Sequence, residues 1–133
     1  MDTIQNNQNK QKILMVDDDE FLVSLYQKKA ESYPVELHVA LSGEDALAQL
    51  REGFVPDIIA LDVTMAGLSG IDVVKAMRAE KLAPNARVVI LSNNNENDLA
   101  KDMQEYGVSK FIMKASLLPS QVFDELLSIV QSK

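Results

Sequence analysis

Four apolar segments of the chain are each followed at once by side chains that can bind a cation or a phosphoryl group. The segments and the residues after them are 13–16 with Asp17, Asp18, Asp19 and Glu20, 58–61 with Asp62, 88–91 with Ser92, and 111–113 with Lys114. Carboxylates are the preferred protein ligands of hard divalent cations. Hydroxyl and ammonium groups can donate hydrogen bonds to anionic oxygens. The pattern therefore indicates a site for a hard cation and an anionic group, if the fold brings these positions together.

The apolar segments themselves predict a parallel sheet. Residues 13–16, 58–61 and 88–91 are continuous runs rich in β-branched residues, which is typical of strands buried on both faces. In residues 35–41 apolar side chains alternate with smaller or polar ones, which predicts an edge strand with one wetter face. Residues 111–113 predict a short fifth strand.

Amphipathic segments between these strands predict helices. One apolar stripe consists of Phe21, Leu22, Leu25 and Tyr26, and further helices are expected over 43–53, 70–80, 95–106 and 119–131. Capping pairs support these starts, namely Ser42 with Asp45, Ser69 with Asp72 and Asn95 with Asp98. The sequence therefore predicts a (βα)₅ fold of the α/β class. Its core would be a doubly wound five-stranded parallel sheet of order 2-1-3-4-5 with helices on both faces.

In such a sheet, ligands bind in the crevice beyond the carboxyl ends of the strands. Asp17, Asp18 and Asp62 would lie within a few ångströms of one another there. Two charges about 4 Å apart repel by roughly 4 kcal/mol at an effective dielectric near 20, so a cation is expected among them. An open site with oxygen ligands favours Mg²⁺, which leaves a position for a phosphoryl oxygen. The competing interpretation of the acidic run is a solvated helix start, with Asp19 as its cap.

Composition excludes several other functions. Thirteen basic and twenty acidic residues give a net charge of −7, which argues against nucleic acid or an anionic membrane as the partner. The absence of cysteine and the single histidine exclude thiolate chemistry and multi-histidine metal centres. The sequence suggests a cytoplasmic protein with a disordered leader over 1–11 and one domain over 12–133.

The ordered set of motifs resembles the receiver domain of response regulators, whose CheY-like fold is the flavodoxin-like three-layer sandwich. The resemblance covers about residues 12–131. It rests on 13–20 as the opening strand with its acids, 56–65 with Gly67 and Gly70 as the phosphoacceptor strand and loop, and 88–92 and 110–114 as the fourth and fifth strands.

The resemblance implies a role for each residue of the acidic group. Asp62 would accept a phosphoryl group and become an aspartyl phosphate, which requires its carboxylate to be ionised and exposed at the strand tip. Asp18 and Asp62 would ligate Mg²⁺ directly, the Thr64 carbonyl would be a third protein ligand, and Asp17 would act through a water. Lys114 would pair with Asp62 before transfer and with a phosphoryl oxygen afterwards.

The resemblance also implies a switch. Ser92 would bind another phosphoryl oxygen and draw the loop after the fourth strand inward, while Phe111 changes between exposed and buried rotamers. The phosphoryl donor would be a sensor histidine kinase or a histidine phosphotransfer protein. We expect no DNA-binding or enzymatic domain beyond residue 133, and the output would then pass through the fourth and fifth helices and the strand between them, to a protein target or in a phosphorylation-dependent homodimer.

Three positions depart from the family pattern. Ala115 follows Lys114 where the family has a proline in a cis peptide bond, and Ala66 also replaces a usual proline. Asn93 stands where the family prefers a small residue. With Thr64 and Asn94, Asn93 would line the acyl phosphate with polar groups and modulate access to it, which predicts an altered phosphoryl lifetime.

Two other functions remain open at the level of sequence. These departures are compatible with a receiver-like binding module that works without phosphorylation. The Asp-x-Asp within residues 17–19 also allows a haloacid-dehalogenase-type phosphohydrolase, although Phe21 stands where that pattern needs Thr or Val. The favoured interpretation is a switch rather than a turnover enzyme.

Overall fold

The computed structural model describes residues 10–63, 65, 67–92, 104–113 and 117–131. Five strands form one parallel sheet in the order β2-β1-β3-β4-β5, which confirms the predicted fold class. The elements in chain order are β1 Gln11–Val16, α1 Glu20–Ala30, β2 Val35–Ala40, α2 Gly43–Arg51, β3 Ile58–Asp62, α3 Gly70–Glu80, β4 Arg87–Ser92, β5 Val108–Met113 and α4 Pro119–Gln131. Most of the helix predicted over 95–106 falls outside the described residues.

Two boundaries differ from the sequence expectations. β1 begins at Gln11, the last residue of the predicted leader, because Gln11 pairs in register with Val35 of β2. β5 begins at Val108, three residues before the predicted strand, because sheet pairing with β4 extends it through residues of mixed polarity. Hydrogen bonding to the neighbouring strand therefore sets both starts rather than local hydrophobicity.

The core consists of two layers, one on each face of the sheet, since successive side chains of a strand point to opposite faces. On one face, strand residues pack against α2 and α3; those of β1 and β3 are Leu14, Val16, Ile59 and Leu61. On the other face, which we call the α1/α4 layer, the strand residues of β1 and β3 are Ile13, Met15, Ile58 and Ala60. Continuing both alternations places Asp17 and Asp62 on the α1/α4 side of the sheet.

The apolar stripe predicted for α1 is partly wrong. The helix buries Val23, Tyr26 and Ala30, whereas Phe21 is 73% exposed and Leu25 39% exposed. The spacing of the buried residues is i, i+3 and i+7, which is one face of a helix. The helix is thus rotated relative to the predicted stripe, because the bulky Tyr26 ring packs edge-on against Phe123 of α4.

Side-chain caps fix the helix starts at the edge where the strands end. Ser42 caps α2 by accepting the Asp45 amide N–H at 3.0 Å. Ser69 and Asp72 form the reciprocal capping box that begins α3. In the part of the chain that the structure describes, no helix is long and apolar enough to cross a membrane.

Candidate functional site

Three aspartates meet at the carboxyl edge of the sheet. Asp17 and Asp18 follow β1, and Asp62 ends β3, which is hydrogen-bonded to β1. One carboxylate oxygen from each of the three lies within 4.8 Å of the others. The parallel register therefore joins acids that are more than forty residues apart in sequence.

The three carboxylates differ in their access to water. Asp17 is fully buried and Asp62 is 3% exposed, while Asp18 is exposed. The prediction that Asp62 is exposed at its strand tip was therefore wrong. The backbone around Asp62 is closely packed as well: α3 begins so near to it that a Cβ added to Gly70 would lie 2.5 Å from the Asp62 carbonyl oxygen. Solvent therefore reaches the acidic group from the Asp18 side.

Local hydrogen bonds give the consecutive aspartates after β1 different structural roles. The Asp19 backbone N–H donates to Asp17 Oδ1 at 3.0 Å, and the Asp17 N–H donates to the Ala40 carbonyl at 3.1 Å. Asp19 itself caps α1 by accepting the Leu22 N–H at 3.1 Å. Asp19 thus takes the capping role, while Asp17 and Asp18 are directed to the cluster with Asp62.

The neighbouring strand contributes Ser92 to the same edge. β3 and β4 pair with Asp62 opposite Leu91, so that Ser92 lies one residue further along at the end of β4, and it is 3% exposed. Ser92 in turn lies opposite Met113, the last residue of β5. Lys114 comes next in the chain, but it lies outside the described residues, as do Thr64, Ala66, Asn93, Asn94 and Ala115.

Phe111 lies away from the acids, within β5. It pairs in register with Ile90 and is half-buried against the layer formed with α2 and α3. It also borders a cavity of about 310 Å³ with Leu117 and Glu125. The single histidine, His38, is on the edge strand β2 and stacks on Phe54, with ring centroids 4.2 Å apart.

Tyr26 lies near the site, although it was not among the site residues predicted from the sequence. It is 2% exposed and belongs to the α1/α4 layer, on the side of the sheet to which Asp17 and Asp62 point. Burial, followed by the negative charges of Asp17 and Asp62, raises the pKa of the Tyr26 phenol to about 12. The hydroxyl therefore stays neutral near the acidic group. A tyrosine among the predicted core residues of α1 was the signal available in the sequence.

The donor set fits a hard divalent cation. All three clustered side chains offer carboxylate oxygens, and one of them is open to solvent. Mg²⁺ is bound in proteins by one or two carboxylates with several retained waters, in contrast to the nitrogen and sulfur ligands of zinc sites. Repulsion between the clustered charges provides the driving force for cation binding.

Comparison with known proteins agrees with this architecture. Residues 13–124 match the response regulator receiver domain. The chain is 28% identical over 116 residues to the chemotaxis protein CheY of Thermotoga maritima, covering 86% of this chain and 93% of that protein. It is 32% identical over 118 residues to protein-glutamate methylesterase/protein-glutamine glutaminase 5 of Myxococcus xanthus, covering 86% of this chain but only 33% of that protein.

A solved structure gives the same picture of the fold. The response regulator TrrA of Thermotoga maritima, in complex with Mg²⁺-BeF, superposes with a TM-score of 0.74 at 24% identity, over 90% of this chain and 98% of that one. The sheet order, the acids at the strand ends and the match over 13–124 all agree with the resemblance noted in the sequence. The chain belongs to the receiver domain family of two-component response regulators.

Proposed function

We propose that this chain is a phosphorylation-controlled switch in which Asp62 accepts a phosphoryl group from the phospho-histidine of a sensor kinase or a phosphotransfer protein. An Asp62 carboxylate oxygen would form the new bond to phosphorus as the bond from phosphorus to the histidine nitrogen breaks. The observation that carries the proposal is the approach of Asp62 to within 4.8 Å of Asp17 and Asp18 at the carboxyl edge of the sheet.

Cation binding is the first part of the proposed mechanism. Asp18 and Asp62 would ligate Mg²⁺ directly, with the Thr64 carbonyl as a third protein ligand and Asp17 acting through a water. The cation, when bound, supplies positive charge that offsets repulsion between the carboxylates and the incoming phosphoryl oxygens. The structure of TrrA in complex with Mg²⁺-BeF supports cation binding in a domain of this fold.

The remaining predicted residues would contact the phosphoryl group or control access to it. Ser92, at the end of the adjacent strand, and Lys114, which follows β5, would each contact a phosphoryl oxygen. Thr64, Asn93 and Asn94 would control access to it.

The signal would then pass from this edge to a partner. A change of the Phe111 rotamer would alter the surface formed by the predicted fourth helix, β5 and α4. We place the partner, a protein target or a second copy of the chain, on that face, and the whole reaction in the cytoplasm, where the kinase would supply the phosphoryl group.

The proposal is tested by phosphorylation with a small donor. The protein is incubated with Mg²⁺ and acetyl phosphate, and the intact mass is measured by mass spectrometry. We expect the wild type to gain the mass of one phosphoryl group and Asp62→Asn to gain none. Asp57→Asn is the matched control, because Asp57 lies at the opposite end of the same strand, where its carboxylate accepts the Lys12 N–H at 2.8 Å; it should be phosphorylated like the wild type.

Other outcomes would select the competing functions. A wild type that gains no phosphoryl group and no beryllofluoride adduct would contradict the switch. Partner binding that is unchanged by Asp62→Ala would favour a binding module that works without phosphorylation. Steady turnover of a small phosphomonoester would indicate a phosphohydrolase instead.

A further inference from the structure

The direction of α1 brings the Tyr26 side chain toward the acidic group. α1 starts at Glu20, directly beyond the carboxyl end of β1, and returns along the sheet toward the start of β2. Side chains on a helix are tilted toward its N-terminus. A buried residue on the sheet-facing side of α1 is therefore inclined toward the edge that carries Asp17 and Asp62.

Strand alternation places Tyr26 on the correct side of the sheet. Met15 and Ala60 pack with Tyr26 in the α1/α4 layer. Asp17 and Asp62 each stand two residues further along the same strands, so they point to the same side. The tyrosine therefore lies beneath the acidic group, whereas Asp18 forms its solvent-facing part.

Packing leaves the ring little freedom. Tyr26 is 2% exposed, and its ring meets Phe123 edge-on, with centroids 6.1 Å apart and an angle of 88° between the planes. The hydroxyl responds to the charges of both Asp17 and Asp62, which raise the pKa of the phenol further after burial. A buried phenol whose ring is held in one orientation can keep its O–H dipole in a constant direction relative to the carboxylates.

We propose that Tyr26 is a positioning residue of the phosphoacceptor site: its buried, fixed hydroxyl presents its O–H dipole to Asp17 and Asp62 and holds their carboxylates in the arrangement that binds Mg²⁺. This inference rests on the proposed function. Because Tyr26 acts on the carboxylates and not on the phosphoryl group, its removal weakens cation binding while leaving the transfer step intact once the cation is saturating.

The test compares Tyr26→Phe with Tyr33→Phe. Each variant removes only a hydroxyl, and both rings pack against Phe123, but the Tyr33 hydroxyl lies elsewhere, donating to the Ser120 carbonyl at 3.1 Å. We expect Tyr26→Phe to raise the Kd for Mg²⁺ roughly three- to tenfold, the equivalent of one hydrogen bond. Its phosphorylation rate with acetyl phosphate should return to the wild-type value at saturating Mg²⁺. Tyr33→Phe should match the wild type in both measurements.

Tyrosine fluorescence tests whether Tyr26 responds to cation binding, which a role in core packing alone does not require. The protein has no tryptophan and three tyrosines, Tyr26, Tyr33 and Tyr106, so intrinsic fluorescence reports the tyrosines alone. In the double variant Tyr33→Phe/Tyr106→Phe, only Tyr26 remains, and we expect its emission to change on titration with Mg²⁺. This measurement does not depend on whether Tyr26→Phe folds.

The outcomes distinguish this inference from the proposed function. A wild-type Kd for Mg²⁺ in Tyr26→Phe, an equal rise in Tyr33→Phe, or an unchanged emission in the double variant would each overturn the role of Tyr26 and leave the switch standing. A wild type that neither binds Mg²⁺ nor accepts a phosphoryl group would overturn the switch itself.

Discussion

Three consecutive aspartates occupy three different environments. Asp17 is buried and accepts a backbone N–H, Asp18 faces solvent, and Asp19 caps α1. The change from extended to helical backbone over these residues turns each side chain in a different direction. Identical side chains can therefore serve as a buried acid, a solvent-facing acid and a helix cap.

Tyr26 predicts a loss of stability in strong alkali. The pKa of its phenol is about 12 in the folded protein, against an ordinary value of 10.0. The folded state therefore keeps a proton that the unfolded state has released, and stability that is fully present below pH 10 falls as the pH rises toward 12. A shift of this size corresponds to about 2–3 kcal/mol.

The measurement is urea unfolding between pH 9 and about pH 12. Tyr26→Phe should lose less unfolding free energy over this range than the wild type, since it lacks the titrating group. Equal slopes in the two proteins would contradict the prediction, and Tyr106→Phe controls for the loss of one phenol.

At the scale of elements, the junction between β3 and α3 determines how tightly the site is built. The α3 capping box of Ser69 and Asp72 fixes the first turn of the helix against the end of β3. Gly70 allows this contact, because any Cβ there would meet the Asp62 backbone. The position of the buried Asp62 is thus coupled to the start of a helix.

Gly70→Ala should disturb both stability and the site. The added methyl group would collide with the Asp62 carbonyl oxygen, which belongs to the backbone and cannot move away cheaply. We expect a loss of roughly 1–3 kcal/mol of unfolding free energy and slower phosphorylation of Asp62 by acetyl phosphate.

Gly53→Ala is the matched control for this effect. Gly53 has a φ of +109° with no atom within 4 Å of the added Cβ, so the substitution strains only the backbone. Both variants should unfold more easily, but only Gly70→Ala should react more slowly. Phosphorylation of Gly70→Ala at the wild-type rate would show that the junction does not position Asp62.

The sequence predicted the strands and the meeting of the acids because both depend on local pattern and parallel topology. It did not predict which side of α1 is buried. The helix carries apolar residues on more than one face, and contact between Tyr26 and Phe123, almost a hundred residues apart, decides among them. The burial of Asp62 also depends on tertiary packing around the end of β3, which the local sequence does not show. Long-range packing therefore accounts for both errors.

For the whole molecule, the acidic group concentrates an excess of negative charge that the chain already carries. The net charge is −7, and three of the acids lie within one small cluster. Such a cluster costs folding free energy when no cation compensates it. Binding of a divalent cation at the site would therefore raise the stability of the domain.

Asp62→Asn should therefore stabilise the protein in magnesium-free buffer of low ionic strength. We expect a gain of about 1–3 kcal/mol, a part of the Coulomb repulsion between charges at this distance. Addition of Mg²⁺ should stabilise the wild type more than the variant, since binding to the folded state raises its stability by mass action. Thermal unfolding with and without Mg²⁺ measures both effects.

The control is again at the other end of β3. Asp57→Asn should change the unfolding midpoint little, because Asp57 is exposed and outside the cluster. A variant Asp62→Asn that is less stable than the wild type without Mg²⁺ would contradict the expected repulsion.

The alternation of side chains along β1 and β3 restricts how the gene can change length. Deleting one codon within β1 or β3 would turn the aspartate at its end, Asp17 or Asp62, to the opposite face of the sheet. The same deletion would move the strand's apolar side chains from one core layer to the other. An insertion between Glu52 and Asp57 would leave the alternation of side chains in β1 and β3 unchanged, since these residues lie between α2 and β3. Natural and laboratory variation in length should therefore collect in the connections and be absent from these two strands.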